Sequence, residues 1–157
     1  MIDPTNALDS FQNEFSKGNI KLQPGVIHRD LFVHVENLEN NKFRMTYVQL
    51  EKFTVTSFVN FVLCAPIEKT PCFQIGYAVP AEYRNQGRAK RTINMALTEM
   101  KFGYQRAGVK EFFIEAIIDE KNIASLRVAE QTISISPISI IDEYSKVPSF
   151  QYLRKVN

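Results

Sequence analysis

Residues 83–91 read Tyr83-Arg84-Asn85-Gln86-Gly87-Arg88-Ala89-Lys90-Arg91, between an apolar run that ends at Val79 and a helical pattern that starts at Arg88. Four of these nine residues are basic, and the small residues Gly87 and Ala89 let the backbone come close to a ligand. A helix start offers free amides and the positive end of the dipole, which together make an anion site. Arg84, Arg88, Lys90 and Arg91 add charge-assisted donors for phosphate. Cations in a first helical turn oppose the dipole by a few tenths of a kcal/mol each. A bound anion reverses that cost; without one, the stretch is a tight turn followed by a solvated helix start. It is neither a Walker A loop, lacking Gly-Lys-Ser/Thr, nor a three-glycine dinucleotide fingerprint.

Downstream, Ile93, Ala96, Leu97, Met100 and Tyr104 recur at helical spacing and predict a helix over Arg88 to Ala107, stopped by Gly108. Glu111 to Ile118 is almost continuously apolar, the pattern of a strand covered on both faces. Upstream, Cys72 to Val79 reads as a strand, so the loop sits inside a βαβ unit with a right-handed crossover. Before it, Leu31 to Glu36, Lys42 to Glu51 and Phe53 to Cys64 are strand-like, with Asn37 to Lys42 a turn and Ala65 to Pro71 a loop. Pro4 to Lys17 predicts an amphipathic helix capped by Asp3, with Leu8, Phe11 and Phe15 on one stripe and Gly18 at its end. After Ile118, Asn122 caps a second helix to Gln131, and Thr132 to Ile141 and Phe150 to Val156 read as closing strands. The order α, β-meander, βαβ, α, ββ is a single-domain α+β fold around one mixed, mostly antiparallel sheet with helices on both faces.

With 157 residues the chain makes one domain and buries roughly two thirds of its unfolded surface. An apolar fraction of 45% with 23% charged residues excludes disordered and collagen-like classes. The formal net charge of +2 is too mild to predict nucleic-acid binding by itself. No apolar run approaches the ~18 residues of a membrane span, and Met1 to Ser10 is not a secretory signal. Cys64 and Cys72 are eight apart and read as reduced core thiols, although they could cross a hairpin. His28 and His34 lack partners at zinc-ligand spacing, so no metal is expected. The expected setting is cytoplasmic, without a membrane partner.

Arg84-Asn85-Gln86-Gly87-Arg88-Ala89 resembles the Arg/Gln-x-x-Gly-x-Gly/Ala motif of the GNAT superfamily of acyl-CoA N-acyltransferases. Ile75-Gly76-Tyr77-Ala78-Val79 looks like that family's fourth strand. Asn122 to Glu130 is similar to its Asn-x-x-Ser-x-x-Val-Ala-Glu pattern, in the form closest to the branch that acetylates N-terminal amines of ribosomal proteins. The resemblance covers about Phe73 to Glu130. It implies acetyl-CoA as co-substrate, its pyrophosphate on the amides of Gln86 to Lys90 (Gln86, Gly87, Arg88, Ala89 and Lys90), beside Asn85. Arg84 would reach phosphate oxygens. The edge of Gly76 to Val79, with Tyr77 and Val79, would pair with pantetheine, and Asn122 would hydrogen-bond the same arm.

The resemblance also implies direct attack of a primary amine, on a peptide N-terminus or a small molecule, upon the thioester. Many relatives carry a tyrosine acid where this chain has Ala129; Ser125 is the substitute near the sulfur. Glu115, inside an apolar strand, is the candidate base, because desolvation raises a carboxylate's pKa. Tyr144, Tyr152, Glu82 and Asp119 stay open for proton transfer. The family's two helices between its first strands are missing, so either the strand numbering is offset or the acceptor groove is unusually open. A non-catalytic acyl-CoA-binding module on the same scaffold remains an alternative, as does an RNA-interacting protein using the basic loop with Lys101 and Arg106. The apolar run Ile133 to Ile141 offers a shared edge for a homodimer.

Overall fold

A computed structural model describes residues 3–157. Helix α1 spans Pro4–Ser16, and the Asp3 carboxylate accepts from the Thr5 amide at 2.8 Å, as a helix cap should. Strands β1 (Gln23–Pro24), β2 (Phe32–Asn37), β3 (Phe43–Glu51), β4 (Thr54–Ile67) and β5 (Thr70–Ala78) follow. A 3₁₀ turn over Ala81–Tyr83 leads into helix α2 (Arg88–Arg106). The chain closes with β6 (Phe112–Asp119), helix α3 (Ile123–Thr132), β7 (Ile138–Ile141) and β8 (Pro148–Val156). The sheet order is β1-β2-β3-β4-β5-β6-β8-β7. Every neighbouring pair is antiparallel except β5 and β6, the two strands joined through α2.

The period-2 alternation of the strands sorts the core into two sides. Tyr47, Val59, Phe61, Phe73, Ile75, Phe112 and Ile114 pack with Ile93, Leu97 and Met100 of α2 and Leu126 and Ala129 of α3. Val48, Val55, Phe58 and Ala78 face the other way and pack with Leu8 and Phe11 of α1. The helices therefore lie on both faces, α2 and α3 together and α1 alone. Gly76 lets α1 close on the sheet: a Cβ there would stand 2.8 Å from Asn60 Oδ1 and 3.4 Å from Pro4 Cγ. One buried carboxylate ties the β1–β2 loop to α2. Glu99 accepts from the amides of Val26 (3.1 Å), Ile27 (2.7 Å) and His28 (2.6 Å).

Four details depart from the sequence expectation. The segment Ala65 to Pro71 is not a loop: β4 and β5 continue through it to a two-residue turn at Glu68 and Lys69, both at positive φ. The prolines are accommodated by a bulge between Cys64 and Ile67, where the ladder needs no amide from Pro66. Strand β6 is buried on one face only, with Phe112, Ile114, Ala116 and Ile118 buried and Phe113, Glu115 and Ile117 half-buried. Thr132 to Ile141 is not one strand: α3 runs through Thr132, and pairing starts only at Ile138, after Pro137. Alternating Ser and Ile in 133–136 imitates a strand, yet Ile135 is 85% exposed. The short β1 carried no sequence signal.

Glu99→Ala should cost about 2–4 kcal/mol in urea denaturation, because three amides lose a charged acceptor. Glu99→Gln should cost less, since one amide oxygen still accepts.

Candidate active site

The parallel ladder between β5 and β6 is short. It joins Cys72 to Phe113, Phe73 to Ile114 and Gln74 to Glu115, and then stops. Beyond it β5 continues to Ala78 and β6 to Asp119, but the two strands are no longer partners. Strand β5 keeps β4 on its other edge as far as Phe58–Ala78, and β6 keeps β8 as far as Asp119–Ser149. The sheet thus splits into a wedge whose β5 wall, over Ile75 to Ala78, presents unpaired backbone donors and acceptors.

A groove of about 550 Å³ runs from this wedge. One wall is Tyr77, Ala78 and Val79; its floor and mouth are Tyr83, Arg84, Asn85, Gly87, Arg88, Ala89 and Lys90; the far wall is Asn122, Ser125, Arg127 and Gln131. The loop is bent by two left-handed residues, Asn85 (φ 59°) and Gly87 (φ 71°). Gly87 is the N-cap of α2 and has no side chain to satisfy the first amides. The first i→i+4 bond is Arg91 N to Gly87 O, so the preceding turn keeps the unpaired amides of any helix start. From beneath, α2 is pinned to β4 by buried hydroxyls: Thr92 Oγ1 donates to Ser57 Oγ (2.8 Å), and Ser57 Oγ donates to the Arg88 carbonyl (3.3 Å).

The basic residues of the loop are partly ordered already. Arg84 Nε donates to the Val79 carbonyl at 2.8 Å, which fixes the strand-to-loop corner. The Arg88 guanidinium lies over the Tyr83 ring, 5.0 Å from its centroid, and its Nε donates to Gln86 Oε1. Arg91 Nη2 donates to the Gln86 carbonyl. On the opposite wall Asn122 Oδ1 accepts from the Ser125 amide at 3.3 Å, so Asn122 is a helix cap. Tyr77 Oη donates to the Ser125 carbonyl at 2.6 Å, bridging β5 to the first turn of α3. Burial pushes the Tyr77 phenol well above its ordinary pKa, so it stays a donor at every working pH.

Most of the expected residues therefore meet around one groove. Tyr77, Val79, Arg84, Asn85, Gly87, Arg88, Ala89, Lys90, Asn122 and Ser125 line it, and Gln86 stands behind, holding Arg88 and Arg91. Glu115 does not line it. It stands in the last ladder pair, on the sheet face away from α2 and α3, and accepts from Gln151 Nε2 at 2.7 Å. Sequence reading missed Tyr83, Thr5 and the α3 residues Ala124, Arg127, Val128 and Gln131. The spacing 124, 127, 128, 131 is a helical stripe that could have marked this wall.

No family model matches the sequence, and no curated protein matches it. Solved structures do match. An acetyltransferase of the GNAT family from Streptococcus pneumoniae superposes with a TM-score of 0.54 at 10% identity, over 73% of this chain and 67% of that one. An acetyl transferase from Salmonella typhimurium, which modifies the N-terminal serine of the 50S ribosomal subunit protein L7/L12, gives 0.53 at 17% identity, over 73% and 64%. The NatC complex bound to Gag peptide and CoA gives 0.54 at 19% identity, over 71% of both chains. The chain spans about two thirds of these structures, and the likeness shows the fold: this is a GNAT acyltransferase fold.

Gly87→Val should cost about 1–2 kcal/mol in urea denaturation, because a β-branched residue is strained at φ 71°. Among the described residues, a Cβ added at Gly87 meets no atom within 4 Å beyond its chain neighbours, so the loss comes from the backbone conformation.

Proposed function

We propose that the chain is an N-acetyltransferase that moves an acetyl group from acetyl-CoA to a primary amine, on a peptide N-terminus or a small molecule. The observation that carries this reading is the wedge: an unpaired strand edge on one side and an uncapped, basic helix start at its mouth. The edge of Ile75 to Ala78 suits the two amides of pantetheine, which pair as a peptide strand does. The amides from Gln86 to Lys90 suit the pyrophosphate, with Arg84, Arg88 and Lys90 as charged donors. Among the solved structures of the same fold, one modifies the N-terminal serine of a ribosomal protein and another is bound to a peptide and CoA. Asn122 caps α3 with Oδ1 and keeps its Nδ2 as a donor toward the same arm.

Transfer needs little covalent chemistry from the protein. The amine lone pair attacks the thioester carbonyl, the carbon–sulfur bond breaks, and the amine proton passes to a base. Holding both reactants in line supplies much of the barrier reduction. Glu115 is the base we assign. It stands at the vertex of the wedge, outside the groove lining, and is oriented by Gln151, so its assigned role requires a water between it and the amine. Ser125, in the groove wall beside the capping Asn122, is the hydroxyl assigned to the departing sulfur.

A second reading is a non-catalytic acyl-CoA-binding module. It is favoured by Ala129, fully buried where a proton-donating tyrosine would stand. Both readings require the coenzyme, and turnover separates them.

Acetyl-CoA and CoA, but not ATP, should raise the melting temperature; at 100 times Kd the stabilisation is about 2.7 kcal/mol. The absence of any shift in thermal melts would remove the premise. Glu115→Gln should lower kcat about 10²-fold on an amine or peptide panel while leaving the KM for acetyl-CoA unchanged. Wild-type binding without turnover on that panel selects the non-catalytic module.

A further inference from the structure

Neither the groove nor its chemistry uses the two thiols of the chain. Cys64 and Cys72 are its only cysteines, and both are free thiols. They are direct ladder partners on β4 and β5, so their side chains share a face. Directly opposed residues hold their Cβ atoms about 4.5–5.5 Å apart. A disulfide needs about 3.5–4.5 Å. The difference is about one ångström, and the ladder can supply it, because the bulge begins immediately after Cys64 and the Glu68–Lys69 turn lies just beyond. Cys64 Sγ already touches the Cys72 carbonyl at 3.3 Å.

The two thiols are not equivalent. Cys64 is half-buried and Cys72 is buried. The neighbouring Cys72 thiol holds the Cys64 thiol below its ordinary pKa, while the Cys64 contact and burial push Cys72 up. The charged groups that act on Cys64 are Lys42, from the β2–β3 turn, and Glu115 on β6; the first favours a thiolate and the second opposes it. A half-buried sulfur of lowered pKa beside a buried one is the arrangement of an attacking and a resolving thiol.

We propose that Cys64 and Cys72 form an oxidisable dithiol, a modification site for low-molecular-weight disulfides. The Cys64 thiolate attacks one sulfur of the small disulfide, forms a mixed disulfide and releases one small thiolate. Cys72 then attacks the Cys64 sulfur, gives its proton to solvent and displaces the second small thiolate. Two protein thiols are oxidised and one small disulfide is reduced to two thiols. The product staples β4 to β5 at Cys72, which also pairs with Phe113 of β6. The staple therefore sits at the closed end of the wedge, in the strands that set its opening.

The test uses the full chain with oxidised glutathione, followed by acid quench, alkylation, intact mass and peptide mapping. The wild type should lose two hydrogen masses, retain no glutathione and give a linked Cys64–Cys72 peptide. Cys72→Ser should trap glutathione on Cys64, and Cys64→Ser should take it up at least about tenfold more slowly. A wild type that stops at a stable glutathione adduct, that links chain to chain, or that stays reduced while the urea-unfolded chain reacts would overturn the proposal. None of these readouts depends on acetyl transfer.

Discussion

Three backbone pairs between β5 and β6 hold this molecule together as one sheet and, by ending where they do, create its groove. Parallel pairing across a βαβ unit forces α2 onto one face, above the strands it connects. The early end of the ladder then leaves a strand edge inside the fold, which most proteins avoid. The features of the candidate site gather at that edge: the Arg84–Val79 corner, the left-handed Gly87, the Tyr77–Ser125 bridge and Glu115 at the vertex. The buried Thr92–Ser57 contact keeps the start of α2 from drifting away from it.

Much of this was legible in residues 72–131, because local and long-range signals agree there. The apolar stripe of α2, the cap at Asn122 and the glycine at 87 each specify their own geometry without help from distant residues. The parts that were misread depend on partners. Pro66 and Pro71 look like loop residues until a bulge removes the need for their amides. Glu111 to Ile118 looks buried on both faces, yet the side opposite α3 has no helix of its own. Glu115 was expected to be desolvated by its strand; instead it shares a half-open face with Gln151, a partner 36 residues away. The far wall of the groove was visible in principle, since positions 124, 127, 128 and 131 form a stripe, but polar Arg127 and Gln131 hide it from a search for apolar periodicity.

The N-terminal third resolves the missing-helix question in its own way. No helix interrupts β2 and β3, which a tight turn at Asn40 and Asn41 connects. Instead α1 precedes the sheet and closes on β4 and β5 through the side-chain-free surface of Gly76. Thr5, near its start, lines the groove from the side opposite α2. The face near β6 and β8 is left uncovered by α1, with Ile117, Leu153 and Ile138 around Glu115.

The edge of Ile75 to Ala78 lies at the bottom of a cleft, and this decides what can reach it. A strand belonging to another folded sheet is a wide, stiff object, because it brings its neighbours and their side chains along. A single flexible thread, one backbone thick, does not. Placing the open edge between two diverging walls therefore sorts visitors by girth: it shields a sticky strand from aggregation with other sheets while leaving it available to a slender chain of amides.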